Sequence, residues 1–205
     1  YFHSQSMAKS FISFLIGAAI DEGAIDNVDD PITQYLPELG FKDKRFQHVT
    51  IRHLLEMKSG LKYNTDIIPF IGIHSPWHDE AVGYYHDNLR ARLINEIEIE
   101  SAPGELFEYN NYNTSFLGLI IEQATGLTVS EYLEEKLWRT SMEYDALFSV
   151  DNDESGFEYV PSRLVARAID YARFGILYLN NGVLNGKRLI STSWIKLSTS
   201  ETLAS

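Results

Sequence analysis

Residues Phe11 to Ile20 constrain this chain more than any other stretch. They read Phe-Ile-Ser-Phe-Leu-Ile-Gly-Ala-Ala-Ile, with no proline and a single glycine. A run of this length exceeds a typical strand, so it predicts a helix with most of its circumference buried. Just before it stand Ser6 and Lys9, three residues apart, a spacing that brings side chains together on one helical face. A serine hydroxyl is a poor nucleophile until something takes its proton. A lysine in a largely apolar site is pushed toward the neutral amine by desolvation, and that amine is a proton acceptor. The helix N-terminus adds backbone N–H groups and a positive dipole end that favour developing negative charge.

Ser-x-x-Lys is a cheap pattern, and it recurs at Ser59/Lys62 and Ser193/Lys196. Gly60 marks the second as a turn, and the polar surroundings of the third predict the start of a surface helix. About a hundred residues beyond Lys9, Tyr109 and Asn111 form Tyr-x-Asn on a loop, ahead of a helix predicted to begin near Tyr112. A tyrosine acts as a base where a nearby cation favours its phenolate, and Lys9 is the candidate cation. An asparagine amide offers both a donor and an acceptor to a substrate carbonyl or amide. Tyr178-Leu179-Asn180 repeats the pattern at a predicted helix end, where Asn is a common stop.

The rest of the chain reads as helices joined by irregular segments. Thr50 caps a short helix stopped by Ser59-Gly60, and residues 63–80 predict a long irregular excursion. Residues 81–97 are helical in part, and Phe116 to Ala124 form an apolar helix ended by Gly126. Thr128 and Glu131 form a capping box opening a helix through Trp138. Val165 to Leu179 are predicted helical. Glu96, Glu98 and Glu100 alternate with apolar residues as the wet face of an extended segment. Strand-like alternation is otherwise scarce. His74, His78, Asp79, Glu80 and His86 raise a metal site, but Pro76 opposes the regular helix that would align them. Asn113-Thr114-Ser115 is a glycosylation sequon by pattern alone.

Composition sets outer limits. With 205 residues, 44% of them hydrophobic, the chain is long enough to bury a sizeable core. Seventeen basic against 29 acidic residues, a net charge of -12, oppose nucleic acid or an anionic membrane as partner. The longest apolar stretch, about ten residues, is too short to span a bilayer. The absence of cysteine excludes disulfides and thiolate chemistry. Tyr1 is not an initiator, so any leader, and with it the compartment, stays open.

In order and spacing these pieces resemble the serine hydrolases of the class C β-lactamase and penicillin-binding-protein type. Ser6-Met7-Ala8-Lys9 is similar to the nucleophile helix, and Tyr35-Leu36-Pro37-Glu38 to the loop after it. Thr50-Ile51-Arg52-His53-Leu54-Leu55 with Ser59-Gly60-Leu61 resembles the next signature. Tyr109-Asn110-Asn111 with Leu117-Gly118-Leu119 resembles the Tyr-x-Asn region, and Asp170-Tyr171-Ala172-Arg173-Phe174-Gly175 a late helix. Met57 stands where many members carry histidine. The resemblance implies an α+β, β-lactamase/transpeptidase-like fold, with residues 1–205 as one partial domain covering mainly its helical region. Most of the antiparallel sheet is missing, as is the third motif, a Lys- or His-x-Gly on a strand lining the site.

The resemblance further implies that Ser6 is acylated and that its own N–H is half of an oxyanion hole. Lys9 and Tyr109 would relay protons, Asn111 would orient substrate, and no metal or organic cofactor would be required. The stretch Met142-Glu143-Tyr144-Asp145-Ala146 is most similar to the 6-aminohexanoate-dimer hydrolase and carboxylesterase branch. The expected substrate is thus a small ester or amide. β-Lactamase or D,D-peptidase activity, and a non-catalytic ligand-binding role for the truncated chain, stand as alternatives. The partial fold also predicts self-association.

Overall fold

The protein is described here from a computed structural model, over residues 1–64, 67–68, 73–74 and 79–200. The apolar run forms helix α1, Ala8–Glu22, in which Phe11, Ile12, Phe14, Leu15, Ile16 and Ala19 are buried. Gly23 closes it at φ +78°, a conformation that costs a glycine nothing, and its N–H returns to the carbonyls of Ala19 and Ile20. Short helices α2, Pro37–Lys42, and α3, Ile51–Leu55, follow. Thr50 caps α3 as predicted, its hydroxyl accepting from the His53 N–H while His53 Nδ1 accepts from the Thr50 N–H.

Within the excursion predicted as irregular, β2, Ile67–Ile68, and β3, Ile73–His74, pair antiparallel. Residues 65–66, 69–72 and 75–78 of that stretch, His78 among them, lie outside the described residues. Helices α4, Asp79–Tyr85, and α5, Leu89–Asn95, fill the partly helical stretch. Ile97 and Ile99 are buried while Glu96, Glu98 and Glu100 face solvent, as the alternation predicted. Helix α6, Asn111–Thr125, is closed by Gly126 at φ +72° and packs against α1 and α3. The Thr128/Glu131 capping box opens α7, Val129–Leu133, which continues through a π-type turn over Glu134–Trp138 into α8, Arg139–Ser141.

Strands β4, Leu147–Phe148, and β5, Leu164–Ala166, form a three-stranded antiparallel sheet with β1, Phe2–His3, in the order β1-β5-β4. The helix predicted over Val165 to Leu179 is therefore shorter. It is α9, Ala168–Leu179, because Leu164 to Ala166 are taken by strand partners on both sides. β6, Val183–Leu184, and β7, Lys187–Arg188, make a hairpin before α10, Thr192–Thr199, the surface helix predicted around Ser193. One contiguous core joins these elements. At its centre Phe11 stacks on Phe174 at 3.8 Å between ring centroids, with Trp138 and Tyr171 on its flanks.

Candidate active site

Ser6 lies in a 3₁₀ turn, Gln5–Met7, that leads directly into α1. The turn keeps the three-residue spacing functional: Lys9 Nζ donates to Ser6 Oγ at 3.3 Å. Lys9 is half-buried and also donates to the carbonyl of buried Pro161 at 2.9 Å. Ser6 itself is exposed to solvent. Gln5, its predecessor, has φ +49°. A non-glycine residue there stores strain of order 1–3 kcal/mol and persists only where its surroundings enforce it.

Tyr109 reaches the same place from a different part of the chain. Residues 57–62 and 98–108 are stitched together by their backbones. Lys62 N–H donates to Glu98, Glu100 N–H to Gly60, Gly104 N–H to Lys58 and Glu108 N–H to Met57, at 2.7–2.9 Å. Gly60, at φ +71°, is required here, since a β-carbon would come 2.2 Å from the Ser101 carbonyl oxygen. Asn110 finishes the frame: its amide donates to Leu61 O at 3.1 Å and its side-chain oxygen caps α6 at the Tyr112 N–H. The half-exposed Tyr109 ring is thereby set with Lys9 Nζ over its face, 5.0 Å from the centroid. A cation in that position is attracted by the ring.

Asn111 sits in the first turn of α6 instead of on the loop the sequence suggested, because Asn110 and not a residue near Tyr112 is the cap. It is buried, and its side-chain oxygen has no hydrogen-bond partner among the described residues. Such an acceptor is costly to leave unpaired and suits an incoming donor. A cleft of about 660 Å³ opens beside Lys9, bordered by Met7, Ser10, Met57, Phe107 and Tyr171 among others. A smaller hollow of about 380 Å³ is lined by the Met142–Ala146 stretch with Trp138 and Phe148, and by none of Ser6, Lys9, Tyr109 and Asn111.

The other candidates have structural employment. Ser59 is buried in a bend, where its hydroxyl accepts from Leu61 N–H, and Asn180 ends α9. Asp79 accepts from Tyr112 Oη at 2.7 Å, Arg92 at 2.9 Å and Asn64 N–H at 2.6 Å, so its carboxylate is already engaged within the fold. His86 Nδ1 accepts from Asn88 N–H. Asn113 is buried inside α6, out of reach of a glycosylating enzyme. Among the described residues no helix is long and apolar enough to cross a membrane, and no three metal-binding side chains cluster. Sequence reasoning missed the Pro161 carbonyl, since a backbone acceptor leaves no residue signature. It also missed the Asn110 cap, which the adjacent Asn111 masked.

Comparison with known proteins places the fold. The chain is 31% identical to 6-aminohexanoate-dimer hydrolase of Paenarthrobacter ureafaciens, an alignment covering 93% of this chain and 48% of that protein. A solved Bacillus anthracis protein, provisionally named a 6-aminohexanoate-dimer hydrolase, matches with a TM-score of 0.77 and 29% identity, over 95% of this chain and 51% of that one. A penicillin-binding protein of Bacillus halodurans shares the fold, with a TM-score of 0.70 at 19% identity, over 95% and 63% respectively. The chain spans about half the length of the first two relatives. The family model described as Beta-lactamase matches residues 1–205, and the chain belongs to that family.

Proposed function

We propose that this chain carries the nucleophile of a serine hydrolase working through an acyl-enzyme on Ser6. In this reading Ser6 Oγ attacks an ester or linear-amide carbonyl and its proton passes to the Lys9/Tyr109 pair. The pair returns a proton to the departing alcohol or amine, leaving the acyl group on Ser6. Tyr109 then takes a proton from the water that attacks the acyl-enzyme, which releases the acid and restores the Ser6 hydroxyl. The Ser6 N–H supplies one donor to the tetrahedral oxyanion, and the unpaired Asn111 oxygen accepts from a substrate N–H.

The observation that carries this reading is the meeting at Lys9 Nζ. One amine touches Ser6 Oγ and lies over the Tyr109 ring, although Tyr109 is supplied by a separate, backbone-stitched loop. Similarity to proteins named for hydrolysing a linear amide favours esters and linear amides over β-lactams.

Intact-mass spectrometry after incubation with a fluorophosphonate, p-nitrophenyl acetate and nitrocefin tests it. The expected result is an adduct on Ser6, absent from Ser6→Ala, and slowed by about 10²-fold or more in Lys9→Met. Turnover of p-nitrophenyl acetate but not nitrocefin would rank ester above β-lactam. Folded wild-type chain that takes no adduct would overturn the proposal for this chain and leave a ligand-binding role.

A further inference from the structure

The residues immediately before Ser6 are held by a network that neither motif contains. Ser4 is buried, with 7% of its surface exposed. Its N–H donates to Leu164 O at 2.8 Å, extending the β1–β5 pairing toward the nucleophile. Its hydroxyl stands 3.0 Å from the Gln5 carbonyl and 3.3 Å from the Ser162 carbonyl. On the same strand pair the Tyr171 hydroxyl stands 2.8 Å from Phe2 O and 3.0 Å from Leu164 O, its one proton shared between the two carbonyls. Next along the chain come Gln5, at φ +49°, and then Ser6.

One dipeptide ties the two sides together. The Pro161 carbonyl takes the Lys9 amine, and the adjacent Ser162 carbonyl takes the Ser4 hydroxyl. The supports of the nucleophile and of its proton acceptor are thus neighbouring peptide groups. A left-handed glutamine relaxes toward negative φ unless both of its ends are restrained. Such a relaxation turns the following peptide and carries Ser6 away from Lys9.

We propose that Ser4 and Tyr171 are positioning residues: they clamp Gln5 in its left-handed conformation and so hold the Ser6 hydroxyl against Lys9. This rests on the proposed reading of Ser6 as nucleophile. Neither residue touches a reacting atom.

The test compares wild type with Ser4→Ala, Ser4→Thr, Tyr171→Phe and Ser4→Ala/Gln5→Gly, all at a temperature where circular dichroism shows each one folded. Two quantities are read: the second-order rate of fluorophosphonate labelling, and the geometry at residues 5–9 in crystal structures. Ser4→Ala is expected to label at least tenfold more slowly, with Gln5 at negative φ and Ser6 Oγ beyond hydrogen-bond reach of Lys9 Nζ. Tyr171→Phe, which keeps the ring, should move both in the same direction by less. Ser4→Thr, which keeps a hydroxyl, should stay close to wild type. Glycine adopts positive φ without strain, so Gln5→Gly should restore most of the labelling rate lost in Ser4→Ala. A mere loss of packing would not respond to that second change. Labelling of Ser4→Ala within twofold of wild type, or a crystal structure retaining both the positive φ and the Ser6–Lys9 contact, would overturn the proposal. If wild type itself takes no label, the nucleophile reading fails, and the crystal structures still decide whether the clamp sets the geometry.

Discussion

Gly17, in the middle of α1, lies so close to Trp194 of α10 that an added β-carbon would come 2.4 Å from the indole ring. Trp194 is buried, and α10 is anchored to the end of α1 by Ser191, whose N–H donates to Asp21 Oδ2 at 2.7 Å. Two effects oppose each other in Gly17→Ala. Helix propensity favours alanine by about 1 kcal/mol, whereas overpacking costs about 1–3 kcal/mol. Because the obstacle is a rigid ring and not the tip of a flexible side chain, overpacking should win. Urea unfolding should give a net loss of up to about 2 kcal/mol. A variant as stable as wild type would show that α10 yields freely.

Asp170, fully buried in the first turn of α9, accepts from Glu143 N–H at 2.7 Å and Tyr144 N–H at 3.3 Å. It therefore pins the loop after α8 to α9, the helix whose Phe174 packs on α1. Asp170→Ala strands two backbone donors, and the expected destabilisation is about 2–4 kcal/mol. Asp170→Asn keeps one side-chain oxygen and should lose less. Equal midpoints for the two variants in denaturant would refute this account of the interaction.

Acid should stabilise one corner of the fold. Burial raises the pKa of Glu158 above the usual carboxylate value, only partly offset by the Ser130 N–H that it accepts, with Glu122 and Glu131 adding repulsion. Burial raises Glu122 as well, against the opposing pull of Arg90. A carboxyl whose folded pKa lies above its unfolded one binds protons more tightly when folded. Its contribution is complete below the unfolded value of about 4.5 and is lost as pH rises through the folded value. Glu158→Gln should remove part of that decline. Thermal melts from pH 4 upward that ran parallel in wild type and variant would contradict the sign.

How much could be read in advance depended on whether the cause was local. The span of α1 was legible because its burial shows in eight apolar residues among the ten from Phe11 to Ile20, and the Thr128/Glu131 box because both partners lie within four residues. The early start predicted for α9 failed at Val165 and Ala166, which with Leu164 have no strong local preference and are made a strand by pairing with β1 and β4, outside their local window. Ser6, Lys9, Tyr109 and Asn111 could be nominated because the chemistry names the residue types. What holds them could not. The Pro161 carbonyl and the positive φ of Gln5 are backbone facts, and the Ser4 clamp depends on a partner 158 residues distant.

The loop that presents Tyr109 is fixed by amides and carbonyls, while Leu106 and Phe107 on the same loop point their surfaces outward, 62% and 67% exposed. Frame and façade are therefore separate. Side chains bordering the cleft are free to drift, changing what is admitted, while the tyrosine keeps its station. A family built on such a loop has a route to new substrates that leaves its chemistry in place.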